Sequence, residues 1–210
     1  LPYLAPAYPM VNAGKTELEL DLRSAEGADR LRELAAVADV LVDGLRPGAL
    51  ERLGLGADAL RSLNPRLIYC GLSGFGATSD EAGRAGHDLN FLALSGLLAA
   101  TTANGQPAIP GTQLADLVGG LSAATAILGA LHARAVSGTG CTLDAPLLGA
   151  ARWLMAPWHA VARAGSAAGP EPTAALSGAQ ACYRLYRTAD DRYLAVGALE
   201  AHFLARFCAA

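Results

Sequence analysis

Residues 40–72, VLVDGLRPGALERLGLGADALRSLNPRLIYCGL, decide the fold because they place two strand-like apolar runs on either side of short helices. The runs are Val40–Val42 and Leu67–Leu72, and the pattern between them predicts helices at 49–53 and 57–63. Strands that alternate with helices at this spacing indicate βαβ units and a parallel sheet. We therefore predict an α/β fold with a Rossmann-like parallel sheet.

Two loops follow the carboxyl ends of these strands, and parallel sheets bind their ligands at that edge. The first is residues 43–48, which contains the turn Arg46-Pro47-Gly48. The second, residues 73–86, is long and rich in glycine, which favours a functional loop over a simple connection. We expect the ligand site to involve these two loops.

The flanking sequence extends this α/β pattern and then changes it. Alternating leucines predict a strand at Thr16–Leu22, and Ser24 is a suitable N-cap for a helix after it. Downstream, periodicity predicts three helices and then a hairpin, at residues 88–99, 114–135, 145–163, and 182–187 with 193–198.

The domain organisation follows from these elements. We predict a large domain with a helical continuation at 1–163 and a linker rich in Ala, Gly, Pro and Ser at 164–177. The start of a smaller α+β domain is predicted at 178–210. The chain opens in a proline-rich stretch and stops inside a predicted helix, so we expect it to be a piece of a longer protein.

Composition excludes several classes of function. A net charge of −3 with 16 scattered Lys and Arg predicts no nucleic-acid partner. The 4 cysteines are far apart and form no CxxC pair, so we predict neither a metal site nor a disulfide framework. Residues 114–131 are apolar enough to cross a bilayer, but Asp116 and several glycines favour a buried helix and no membrane partner. No secretory signal is visible, and we predict a cytoplasmic protein.

Four polar residues stand out on their own chemistry. Arg46 and Arg52 flank the turn beyond a predicted strand, where arginine can hold phosphate, although two solvated surface arginines would give the same pattern. His87 follows the glycine-rich loop at the start of a predicted helix, where a lone histidine is usually structural. Asp116 lies at an apolar helix start, so it must be paired, capping or functional.

An ordered series of short motifs resembles the family III CoA-transferases and their relatives, the α-methylacyl-CoA racemases. The series runs over nearly the whole chain: Asn12-x-Gly14-Lys15, residues 20–27, Arg46-Pro47-Gly48, residues 51–56, residues 64–69 and residues 72–76. The order makes the resemblance specific, since no single motif would be. Ala13 departs from it, because the family usually has arginine there.

The resemblance implies an acyl-CoA substrate, with CoA arriving as part of the substrate and no tightly bound cofactor. It implies CoA contacts from five residues: Lys15, Leu22, Arg23, Arg46 and Arg52. It also implies that Asp116 is the catalytic carboxylate and that the protein is an interlocked homodimer.

Residues 85–96 carry histidine where transferases commonly have an aromatic residue, so this segment is similar to the racemase version. That resemblance implies that His87 and Asp116 act as two bases, with Asp88 beside them and Glu200 hydrogen-bonded to the histidine. We predict racemisation of a 2-methylacyl-CoA. The alternatives are CoA transfer through an intermediate on Asp116 and an inactive acyl-CoA-binding remnant.

Overall fold

The computed structural model describes residues 2–103, 106–163 and 176–209. Short helical turns at Pro2–Ala7 and Glu51–Leu53 are 3-10 in character. The other elements, in chain order, are α1 (Tyr8–Val11), α2 (Ala25–Val37), β1 (Val40–Asp43), α3 (Ala57–Leu63), β2 (Ile68–Ser73), α4 (Asp88–Ser95), α5 (Leu97–Ala100), β3 (Thr102–Ala103), β4 (Gln106–Pro107), α6 (Leu114–Ser137), β5 (Thr142–Pro146), α7 (Leu147–Leu154), α8 (Ala156–Arg163), β6 (Tyr183–Arg187), β7 (Tyr193–Gly197) and α9 (Ala201–Ala209).

A parallel sheet of order β1-β2-β5 lies at the centre of this arrangement. β2 is the middle strand, with Val40 of β1 opposite Ile68 and Thr142 of β5 opposite Tyr69. Its first residues are buried, as expected for a parallel strand covered on both faces. The predicted α/β fold with a parallel sheet is confirmed.

The connection from β1 to β2 follows the predicted course through a 3-10 turn and α3. Leu55 and Leu60 of this connection are fully buried in one core cluster with residues of α2, whereas Leu63 is exposed. Asn64 ends α3, and its Nδ2 donates to the carbonyls of Ala35 and Ala38 at 3.0 and 2.9 Å. One side chain thus fixes the end of α2 to the entrance of β2.

The predicted strand at Thr16–Leu22 is wrong. Residues 15–21 form no strand, and no described strand lies beside them to supply hydrogen bonds. Leu18 is exposed, whereas Leu22 packs against the core beside α2. The predicted cap is present, because the Ser24 hydroxyl accepts from the Gly27 N–H at 3.0 Å.

Two predicted helices are interrupted. The helix expected over 88–99 breaks at Gly96, whose left-handed φ of 84° ends α4. The helix expected from residue 145 starts only at Leu147, because residues 142–146 pair with β2 as β5. The hairpin of β6 and β7 is present as predicted. Most of the predicted linker, residues 164–175, lies outside the described residues.

α6 was expected to be a buried helix, and this is wrong for most of its residues. Ala115, Gly119 and Ala123 are buried, whereas Leu121 and Leu128 on other faces are 68% and 67% exposed. A side chain at Gly119 would collide with Leu147, so small residues allow α6 to approach α7 closely. α6 is the one described helix long and apolar enough to cross a membrane, and it packs on α4, α7 and β2.

Arginines close the amino end of the sheet. Arg134, buried near the end of α6, donates to the carbonyls of Arg66 and Asp39 at 2.9 and 3.2 Å and to the Asp39 carboxylate at 2.6 Å. Arg66 donates to the Gly138 carbonyl at 3.1 Å, and Arg61 donates to the Gly140 carbonyl at 3.0 Å. These bonds satisfy carbonyl groups just before the strands begin.

Candidate active site

A cavity of about 420 Å³ opens beyond the carboxyl ends of β1 and β2. Its lining comes from residues 44–47, 72–74, 82 and 84–87, together with Asn90 and Leu147. These are the two loops that the sequence marks as ligand loops. The position is the one at which parallel sheets bind their ligands.

Arg46 lines this cavity from the loop after β1. Among the residues that the structure describes, its guanidinium has no hydrogen bond or ion pair with protein, and the residue is exposed. Gly48 turns the chain with a φ of 80°, and its carbonyl accepts from the Arg52 N–H at 3.2 Å. Both arginines thus sit at the edge predicted for phosphate, although only Arg46 is part of the cavity lining.

His87 is the N-cap of α4 and also lines the cavity. Its backbone N–H donates to Oδ1 of Asn90 at 2.9 Å, which fixes the chain at the helix start. Its side chain is exposed.

Asp88 joins the starts of two helices. Its Oδ1 accepts from the N–H groups of Ala115 and Asp116, at 2.7 and 3.1 Å, which are otherwise free at the start of α6. Asp88 is the first residue of α4, yet its carboxylate caps the start of a different helix, α6. This contact brings the backbone of Asp116 against the start of α4, next to His87.

The electrostatics of Asp116 reflect this placement. Partial loss of hydration raises the pKa of the Asp116 carboxyl, and the negative charge of Asp88 raises the pKa further. The nearby His87 lowers the pKa, so the effects oppose each other. His87, Asp88 and Asp116 therefore form one interacting group beside the cavity, although of these three only His87 lines it.

The remaining predicted residues lie elsewhere. Lys15 donates to Oδ1 of Asn12 at 3.0 Å, and the Arg23 N–H donates to Oδ1 of Asp21 at 3.0 Å. Leu22 packs against the core, and none of these residues lines the cavity. Glu200 is exposed at the start of α9, and among the described residues it makes no hydrogen bond with His87. The roles assigned to these four residues stay predictions.

The sequence did not single out two residues of the cavity. Arg84 lies 5.6 Å from the centre of the Phe75 ring and forms an ion pair with Glu81 at 2.6 Å. Asn90 holds the backbone of His87, as described above. Asn90 could have been found from its spacing, three residues after a helix cap, whereas nothing local marks Arg84.

Comparison with known proteins shows the relationship. Residues 2–210 match the sequence profile of CoA-transferase family III. The chain belongs to this family. The relatives of the chain include both racemases and CoA-transferases. Human alpha-methylacyl-CoA racemase is 40% identical over 192 residues, covering 90% of this chain and 50% of the racemase. Human succinyl-CoA:glutarate CoA-transferase is 37% identical over 142 residues, covering 67% of this chain and 32% of the transferase.

A solved structure of the family supports the fold. A CAIB/BAIF family protein from Brucella suis aligns with a TM-score of 0.77 at 32% identity, covering 87% of this chain and 48% of that protein. The chain spans about half the length of the curated relatives that it matches. The curated relatives of this family thus include both racemases and CoA-transferases.

Proposed function

We propose that this chain is part of an enzyme that racemises or epimerises a 2-methylacyl-CoA by transferring the α-proton between two bases, His87 and Asp116. The observation that supports this most is the Asp88 contact, which holds the start of α6 against α4. The imidazole and the carboxyl group consequently share one neighbourhood beside the cavity. The similarity to a racemase over most of the chain favours the same reaction.

Inversion at the α-carbon needs a base on each face of the substrate, one to remove the proton and one to return it. A histidine and an aspartate with a raised pKa can exchange these roles near neutral pH. Backbone N–H groups at a helix start would stabilise the thioester oxygen as it gains negative charge. In this proposal Asp88 lies beside the bases and also holds the two helices together, and Glu200 orients the histidine.

The CoA part of the substrate would lie across the loop that carries Arg46, with Arg52, Lys15, Leu22 and Arg23 as further contacts. CoA then enters and leaves with the substrate, so the reaction uses no tightly bound cofactor. We place the enzyme in the cytoplasm as an interlocked homodimer, without a membrane or nucleic-acid partner. Residues 1–163 would form its CoA-binding domain, and the smaller domain would begin after a linker at 164–177.

A second candidate is transfer of CoA between carboxylic acids. It is favoured by the relatives that are transferases and by the position of Asp116, whose carboxylate could attack a thioester. This reaction needs Asp116 and does not need His87 as a base.

The test uses the full-length protein and a 2-methylacyl-CoA in deuterated water. We expect deuterium to enter the α-position, and we expect His87→Ala and Asp116→Asn each to lower this rate by about a thousandfold. His132→Ala is the matched control, because His132 is exposed on α6 away from the cavity. CoA transfer to a free carboxylic acid that survives His87→Ala, without α-proton exchange in the wild type, would establish the second candidate instead.

A further inference from the structure

A hydrogen-bonded pair behind the cavity ties the sheet to the loop that carries Arg46. Tyr69 of β2 is only 4% exposed, and its hydroxyl donates to Oδ2 of Asp43 at 2.6 Å. The other oxygen, Oδ1, accepts from the backbone N–H of Leu45 at 2.9 Å. Asp43 therefore connects a buried side chain of the central strand to the backbone immediately before Arg46.

The phenol is suited to a permanent donor role. Burial raises the pKa of Tyr69 far above its ordinary value, and the hydrogen bond and negative charge of Asp43 act in the same direction, as does the charge of Glu51. Tyr69 consequently remains protonated at any pH at which the protein works. Its hydroxyl has no role in proton transfer, because it is buried behind the cavity and does not line it.

The loop is held on both sides of Arg46. The Leu45 N–H is bound by Asp43, and the Arg46 carbonyl accepts from the Ala49 N–H at 3.0 Å. Residues 44–47 all line the cavity, so the position of this backbone determines where the Arg46 guanidinium can reach. Two of these contacts lie within residues 43–49, whereas the bond from Tyr69 holds the Asp43 carboxylate from the neighbouring strand β2.

We propose that Tyr69 and Asp43 are positioning residues that hold Arg46 at the rim of the cavity for binding the CoA part of the substrate. This inference rests on the proposed function, since it requires Arg46 to contact acyl-CoA. Tyr69 acts through Asp43 and the Leu45 backbone, without contact with the substrate. The expected signature is an effect on KM that depends on Arg46.

The experiment is a double-mutant cycle in the full-length enzyme, with KM and kcat measured for one acyl-CoA. Tyr69→Phe keeps the ring and removes the donor, and we expect it to raise KM about fivefold, as for the loss of one hydrogen bond, with kcat unchanged. In the Arg46→Gln background the same substitution should leave KM unaltered, because the loop then has no guanidinium to place.

Tyr186→Phe is the matched control. Its hydroxyl also donates to one acceptor, the Ala181 carbonyl at 2.7 Å, but it lies in the hairpin of β6 and β7 and outside the cavity lining. We expect wild-type KM and kcat from it. If Tyr69→Phe does not fold, Asp43→Ala takes its place in the cycle, because alanine removes both the acceptor of the Tyr69 hydroxyl and the acceptor of the Leu45 N–H.

The possible outcomes distinguish failure of the positioning role from failure of acyl-CoA binding by Arg46. If Tyr69→Phe leaves KM unchanged while Arg46→Gln raises it, the positioning role is refuted and acyl-CoA binding by Arg46 stands. If Tyr69→Phe raises KM equally in both backgrounds, it acts through general stability and the inference fails. If Arg46→Gln itself has no effect on KM, both the inference and the CoA contact of Arg46 fail.

Discussion

At the amino ends of the sheet strands, Arg134 and Arg66 donate to backbone carbonyls, whereas at the carboxyl ends Arg46 and Arg84 surround a cavity. Arg134 is 8% exposed and its hydrogen bonds stay within the fold. Arg46 is exposed and, within the described ranges, its guanidinium contacts no acceptor. The same residue type thus stabilises the fold at one end and is available to a ligand at the other.

The arginines that stabilise the fold and the arginines available to a ligand thus lie at opposite ends of the sheet strands. Substitutions at the amino end should change the free energy of unfolding and leave substrate affinity intact. Substitutions at the carboxyl end should do the reverse. The Arg46 and Arg66 variants below are measured for both quantities in the full-length protein, so that either half of the comparison can fail.

The largest effect is expected from Arg134→Ala. It removes the donor to the Arg66 carbonyl, one of two donors to the Asp39 carbonyl and the ion pair with the Asp39 carboxylate, all made by a buried guanidinium. This loss should lower the free energy of unfolding by about 3 kcal/mol. Chemical denaturation measures this. Arg30→Ala is the control, since Arg30 makes only an exposed pair with Glu33 and should cost about 0.5 kcal/mol or less. Equal losses for the two variants would contradict the structural role.

Asp88→Ala tests the contact between the two helix starts. Without the carboxylate, the N–H groups of Ala115 and Asp116 lose their acceptor, and Asp116 shifts relative to His87. A displacement of this kind should lower the α-proton exchange rate about a hundredfold. A normal rate in a folded Asp88→Ala protein would show that the contact does not position the reacting pair.

Arg46→Gln and Arg66→Gln test the comparison directly. Arg46→Gln should raise the KM for acyl-CoA about tenfold with an unchanged melting temperature, because it removes one charge-assisted contact. Arg66→Gln should leave KM unchanged and lower the melting temperature, since it removes the bond to the Gly138 carbonyl. The reverse assignment of the two effects would refute the division between the two ends.

The smallest effect is a pH shift in Asp88→Asn. Asparagine keeps an oxygen for the two N–H groups and removes the charge that, after burial, raises the pKa of Asp116. Asp116 must lose its proton to act as a base, so the acidic limb of the kcat/KM profile should move to lower pH. The raised pKa of Asp116 also links stability to pH. It favours the folded state most below the pKa that Asp116 has in the unfolded chain, and this contribution is lost as pH rises through the pKa of Asp116 in the folded protein. An acidic limb that stays in place would exclude the charge of Asp88 as a cause.

The sequence predicts those parts of the fold that local signals specify. β1, α3 and β2 are marked by apolar runs, and Asn64-Pro65 ends the helix between the strands. The hairpin of β6 and β7 is marked by its turn, in which Asp191 takes a left-handed φ of 60°. β5 was missed because it is short and runs directly into α7, and its strand conformation depends on pairing with β2.

The candidate residues came from residue type together with the family resemblance, whereas the contacts between them could not be predicted. His87 and Asp116 could be chosen from the sequence, but the carboxylate that joins their helices acts between positions far apart in the chain. The same holds for Arg134, whose acceptors precede two different strands. Hydrogen bonds between residues far apart in the chain produce no periodic pattern in the sequence, so they can be identified only from the folded structure.

Because the Asp88 carboxylate caps α6, the first turns of α4 and α6 should move together as one rigid unit. The distance between the His87 imidazole and the Asp116 carboxyl group is then set by the backbone of these two turns and does not depend on the apolar side chains that line the cavity. In the proposed enzyme, substitutions in those walls at Leu45 or Leu72 should admit another acyl chain and keep His87 and Asp116 at the same spacing.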